Sequence, residues 1–203
     1  MRQPLIENKV CLPLDPSVLY APFYEGQLLA IDQTLTVRPF CVPQDLPAIH
    51  SWILAYSGAA NSSLPSPVPQ LLETYNHLIT SDYSQSLIAL VDNRPLLQFD
   101  IIRADKDELS LEYAVEPGDF SFHFLFSPFF TEEPDFYTEV MDRCIKSLGY
   151  FPEVGRLFCK SYQMDRRSNL LLQQAGFVLN KQSRERTGEV NIYRHDMLEK
   201  VEQ

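Results

Sequence analysis

The sequence contains no run of eighteen apolar residues, and so no stretch able to cross a membrane as a single helix. Its opening, Met1-Arg2-Gln3-Pro4, leads into no apolar core of the signal-peptide kind, so secretion is not expected and the chain is placed in the cytoplasm. The four cysteines, Cys11, Cys41, Cys144 and Cys159, form no CxxC pair and no Cys/His cluster of metal-ligand spacing. No metal site is therefore expected, and the cysteines read as reduced, mostly buried thiols. Positive charge is scarce as well. Lys and Arg number 17 against 27 Asp and Glu, for a net charge of −10. That balance argues against a nucleic-acid partner, which needs basic surface to offset phosphate. It also weighs against an anionic cofactor, unless a positive pocket is built locally on an acidic protein.

What is present suits one globular α/β domain. The 203 residues are 45% hydrophobic and 22% charged, enough to bury a core without staples. Residues 1–30 are irregular, punctuated by Pro4, Pro13, Pro16 and Pro22. Leu28 to Val37 reads as a strand, a turn near Asp32 and the start of a second strand. Leu46, Ile49, Trp52 and Ile53 then make the stripe of an amphipathic helix that fades by Gly58. A Pro/Ser loop from Asn61 to Pro69 precedes a second helix, 70–80. Strands are expected over 85–91, 96–104, 110–115 and 121–126, the last strongly apolar and central. Helical spacing over 134–148 begins at Pro134, with Thr131 a candidate cap and Gly149 a stop. A strand at 154–159, a helix at 165–174 closed by Gly176, and strands at 178–184 and 189–194 complete the chain. An antiparallel meander running into a βαβαβ half implies a mixed, twisted sheet with helices on both faces.

Four segments resemble the GNAT acyltransferases, and more narrowly the branch that acylates amines and hydroxylamines in hydroxamate siderophore assembly. They are Arg38-Pro39 with Asp45-Leu46-Pro47 and His50-x-Trp52; Pro95 to Asp100 with Ala104 and Asp107; Tyr113 with Gly118-Asp119 and His123-x-Leu125; and Ala175-Gly176-Phe177. They keep their order over residues 37–178, and the Gly-Asp…His block is the most specific. The resemblance implies a GNAT-like domain over 37–203 behind an N-terminal extension and first strand, 1–36. It also implies an acyl-CoA donor, acetyl-CoA in the simplest case, and a small amine or hydroxylamine acceptor. A monomer or homodimer is expected. The chain departs from the family where a glycine-rich loop should offer backbone N–H groups to pyrophosphate. Ser127 to Pro134 contains no glycine, two prolines, and the carboxylates Glu132 and Glu133. The family's acidic residue after the next strand aligns with Tyr162, and its asparagine with Asp165.

These matches assign roles, each beside a plainer reading. His123 is either the base that takes the acceptor's proton or a hydrogen-bonded core histidine. Tyr162 is either the acid for the leaving thiolate or a packed aromatic at a strand end. Asp165 stands in for the family acid or caps the helix that follows it. Asp100 holds a cationic acceptor or lies on a solvated strand face. His50 and Trp52 line the acceptor side, or Trp52 packs in the core. Phe124, Leu125, Phe126 and Ser127 would meet the donor along the strand, with Arg166 and Arg167 at its phosphates or simply solvated. The competing functional class is a non-catalytic GNAT-fold binding or scaffold protein that has lost efficient coenzyme A binding.

Overall fold

The structure is a computed structural model that describes residues 21–29, 32–59, 68–130 and 133–197. Cys11, most of the expected Pro/Ser loop, Thr131 and Glu132 lie outside the described residues. Eight strands form one sheet: β1 (Tyr24–Leu28), β2 (Gln33–Pro39), β3 (Ser84–Val91), β4 (Arg94–Arg103), β5 (Asp119–Phe126), β6 (Arg156–Tyr162), β7 (Val178–Glu185) and β8 (Gly188–Asp196). Their order is β1-β2-β3-β4-β5-β6-β8-β7. Every neighbouring pair is antiparallel except β5 and β6, which run parallel. The first expected strand region is a hairpin, β1–β2. The turn at Asp92-Asn93 places both residues at positive φ (45° and 63°), the two-residue turn whose twist suits the flanking strands β3 and β4.

One expectation is corrected. Residues 110–115 are not a strand: Glu108–Leu111 is a short 3-10 turn, and irregular chain follows it. The alternation of Leu109, Leu111 and Tyr113 imitates a strand, but β4 lies along one edge of β5 and β6 along the start of the other. Asp107 also offers the backbone a local alternative, accepting the Leu109 N–H at 2.9 Å. Leu109 and Tyr113 pack instead with Phe158 and Ile192 beneath the sheet.

Helices cover both faces. Helices α1 (Val42–Ala59) and α2 (Val68–Thr80) pack Leu46, Ile49, Trp52, Leu71 and Tyr75 onto Ile88 and Leu90. Helices α3 (Pro134–Ser147) and α4 (Arg166–Gln174) cover the opposite face. There Phe136, Val140, Met141 and Leu172 meet Leu87, Ala89, Phe120 and Phe122 in the main core. Cys41, Cys144 and Cys159 are buried free thiols. The start of α1 is pinned by Asp45, whose carboxylate takes the Cys41 N–H at 2.8 Å and pairs with both terminal nitrogens of Arg38 at 2.7 Å. The short parallel pairing is the feature that matters for function. Asp119, Phe120 and Ser121 register with Arg156, Leu157 and Phe158, and beyond Ser121 the two strands separate.

Candidate active site

Strand alternation sorts β5 into two sets of side chains. Phe120, Phe122 and Phe126 enter the core under α3 and α4, with Phe124 packed against it, while His123 and Leu125 face α1 and α2. His123 stands directly across from Asp100 on β4, which in turn lies across from Ser86 on β3. The face below α1 and α2 thus carries a polar row, Ser86, Asp100 and His123, in otherwise apolar surroundings. Gln98 joins it, donating to the Asp100 Oδ1 at 2.7 Å, where Ser86 also donates at 2.5 Å. Among the described residues nothing donates to Oδ2. Burial lifts the Asp100 pKa against these two hydrogen bonds and the charge of His123.

His123 is bound from a second direction. Its Nε2 lies 2.9 Å from Asp107 Oδ2, while Asp107 Oδ1 is anchored on the Leu109 N–H. Burial by itself would lower the His123 pKa, but the Asp107 hydrogen bond and charge, helped by Asp100, raise it above the ordinary value. The Asp107 carboxyl is itself held low, because its hydrogen bonds to His123 and Leu109 outweigh burial. With Nε2 turned to Asp107, Nδ1 has no partner among the described residues. An imidazole so oriented can accept a proton at Nδ1, the arrangement of a positioned general base.

The separated strands supply the second component. The Ser127 N–H donates to the Leu96 carbonyl at 2.7 Å, so alternate residues turn their amides toward β4 and the ones between turn away. Phe124 and Phe126 therefore aim both N–H and C=O into the gap beside β6, where no strand pairs with them. Open amides inside a sheet fit an extended, amide-bearing chain laid along the edge. The phosphate end is chemically different. Ser127 N–H is spent on β4, Phe129 N–H bonds the Ser127 hydroxyl at 3.3 Å, and Pro128 and Pro134 have no N–H. Glu133 precedes α3 without a side-chain cap bond. Cations flank this loop instead. Arg94 lies 4.7 Å over the Phe130 ring and Arg167 4.8 Å over the Tyr137 ring.

The remaining expected site residues fall in different places. Trp52 is 2% exposed within the α1–α2 core, which removes it from an acceptor wall, while His50 is partly buried on the same helix. Tyr162 is 43% exposed, and its phenol pairs with the Thr187 hydroxyl at 3.0 Å, on the β8 side and away from β5. Asp165 is the N-cap of α4, accepting the Ser168 N–H at 3.0 Å. Arg166 is exposed at the start of that helix. Asp107 and Arg94 complete the site without having been singled out for a role, and Tyr56 joins it from α1. The Tyr56 hydroxyl donates to the Phe126 carbonyl at 3.1 Å.

The mixed sheet thus opens between two parallel strands, and a histidine–carboxylate pair stands on one of them. The chain belongs to the acetyltransferase (GNAT) domain family, whose model matches residues 42–184. Solved structures agree on the fold. An uncharacterized protein from Bacillus halodurans superposes with a TM-score of 0.72 at 13% identity, over 85% of this chain and 89% of that one. The aminoglycoside acetyltransferase AAC(6')-Ib, in complex with coenzyme A and kanamycin, gives 0.68 at 16% identity over 80% and 94%. The ribosomal L7/L12 α-N-protein acetyltransferase RimL, in complex with coenzyme A, gives 0.63 at 13% identity over 80% and 94%. No curated protein matches the chain in sequence. Among the described residues no helix is long and apolar enough to cross a membrane, and no group of His, Cys, Asp or Glu is arranged to hold a metal.

Proposed function

We propose that this protein is an acyl-CoA-dependent N-acyltransferase, using acetyl-CoA in the simplest case, that modifies an amine or N-hydroxylamine of a small molecule. The sequence resemblance further points to an acceptor of the hydroxamate siderophore type. The observation that carries the reading is the His123–Asp107 pair on β5, the strand that parts from β6 beyond Ser121; the second ring nitrogen of His123 has no partner among the described residues. Asp107 keeps the proton on Nε2, and Nδ1 takes the proton from the attacking nitrogen as the new C–N bond forms and the thioester C–S bond breaks. Asp100, on the same face, offers Oδ2 to a cationic acceptor. The Phe124 and Phe126 amides receive the donor's extended arm. Its thioester oxygen is polarised by N–H groups of the 123–126 strand, and its phosphates are met by Arg94, Arg166 and Arg167.

One observation favours a second reading, a GNAT-fold scaffold without catalysis. The described loop 127–130 has no convergent N–H donors and is followed by Glu133. Calorimetry with acetyl-CoA separates the two. The enzyme reading expects weak binding, roughly 0.2 mM or −5 kcal/mol, tightened when Glu132 and Glu133 are both changed to Gly. It also expects His123→Ala to slow acetyl transfer to a panel of amines and hydroxylamines by about 10²–10⁴-fold. No binding at millimolar donor by either protein would establish the scaffold reading instead.

A further inference from the structure

The connection from β4 to β5, residues 104–118, does not stay beside the two strands it joins. It crosses to β6, where the Tyr113 ring stacks on Phe158 at 4.0 Å and Leu109 is buried with Phe158 and Ile192. Asp107, Glu108 and Leu109 follow one another along it, and each is held by a different partner. Asp107 Oδ2 meets His123 Nε2 at 2.9 Å, Glu108 Oε1 accepts from Lys160 Nζ at 2.6 Å, and Leu109 sits in the apolar cluster. We propose that Lys160 is a positioning residue: through Glu108 it keeps the Asp107 carboxylate seated on His123. The part this plays in turnover rests on the acyltransferase reading.

Lys160 stands where such a tie is needed. Asp119, Phe120 and Ser121 pair with Arg156, Leu157 and Phe158, and the same offset carried forward sets Lys160 opposite His123. Side chains two positions apart on a strand share a face, so Lys160 lies on the face of Phe158 and His123. At this level β5 and β6 no longer pair. The Lys160–Glu108 bond therefore joins β6 to the segment that carries Asp107 at a point where the backbone offers no bond between the strands.

An isolated, exposed ion pair would add little. This one belongs to a network. Lys160 also donates to Glu185 on β7 at 2.8 Å, and its own side chain is 19% exposed. With the ammonium fixed from the sheet side, Glu108 is the partner drawn to it. Asp107 is the N-cap of the short turn Glu108–Leu111, with Oδ1 on the Leu109 N–H at 2.9 Å. Drawing Glu108 toward β6 sets the rotation of that turn, and with it the aim of Oδ2. Lys181 on β7 makes a further tie, to the Glu112 carboxylate at 3.0 Å, but on the other side of the Leu109 anchor from Asp107.

The test compares the full-length protein with Lys160→Met, Glu108→Gln and Lys181→Met. Lys160 also acts on His123 as a nearby positive charge. The first two variants change the local charge in opposite directions, so a direct field effect would move them apart, whereas loss of the bond moves them together. Side-chain ¹⁵N spectra of the four histidines, with His123 assigned by its loss in His123→Ala, show which nitrogen of the neutral ring carries the proton. The wild type should hold it on Nε2. Lys160→Met and Glu108→Gln should both shift a share to Nδ1, and Lys181→Met should not. Both should also lower kcat for acetyl transfer from acetyl-CoA by about tenfold, with KM for the donor within about twofold, while Lys181→Met stays near wild type. An unchanged His123 tautomer, opposite effects in the two variants, or the same loss in Lys181→Met would each overturn the assignment. If the wild type transfers no acetyl group while the spectra shift as expected, the acyltransferase reading fails and the seating of Asp107 by Lys160 stands.

Discussion

On the proposed function, the hydrogen bond between His123 and Asp107 sets the pH at which the base works. A base must be deprotonated to act, so kcat/KM should rise with pH through the His123 pKa, which lies above the ordinary value of about 6.5. Because the folded pKa exceeds the unfolded one, the ion pair stabilises the fold below the unfolded value. That contribution is lost as pH rises through the folded pKa, so the form proposed to act is the one without it. Asp107→Asn removes the charge while keeping the shape, and burial then dominates. The acidic limb of kcat/KM should shift to lower pH and the maximal rate should fall, as a pH–rate profile would reveal; an unmoved limb would mean that Asp107 does not tune His123. His123 was singled out as a candidate in the sequence from its place after Gly118-Asp119. Tyr56 was not, because it sits seven residues after Ile49 and reads as one more member of the α1 apolar stripe.

At the level of elements, the tie between β2 and α1 is a buried, bidentate ion pair. The Arg38 and Asp45 side chains are 9% and 1% exposed. Breaking such a pair leaves an uncompensated buried charge, which costs about 3–5 kcal/mol, whereas replacing both partners by apolar residues costs far less. Asp45→Ala should therefore lower the denaturation midpoint sharply in urea titration. Arg38→Met with Asp45→Leu should recover most of the loss, and a double variant no better than the single one would refute the account. Most elements were readable from periodicity: the helices over 134–147 and 166–174 lie close to their expected bounds, as do the strands flanking Asp92-Asn93. The expected strand at 110–115 failed because alternation reports only that one face is apolar. It cannot report that Asp107 holds the backbone in a turn through the Leu109 N–H.

For the molecule as a whole, the mixed sheet followed from the change of pattern from meander to βαβ, and the parallel pair β5–β6 sits at that change. Arg167 was singled out in the sequence as a phosphate contact, but Arg94 was not. Arg94 and Arg167 are far apart in sequence, and only the fold brings them to aromatic rings on the segments beside the start of α3. The strand separation also has a kinetic consequence for solvent. A central strand is ordinarily among the slowest regions of a protein to trade its amide protons for deuterium. In β5 protection should instead alternate: Ser121, His123 and Leu125, bonded to β4, exchange slowly, while Phe124 and Phe126 exchange quickly although they lie in the middle of an eight-stranded sheet. Residue-resolved exchange in D₂O should show this sawtooth, and saturating acetyl-CoA should erase it by slowing Phe124 and Phe126 alone. Uniform protection along β5 would mean that the strands close in solution and that the gap is not a standing channel.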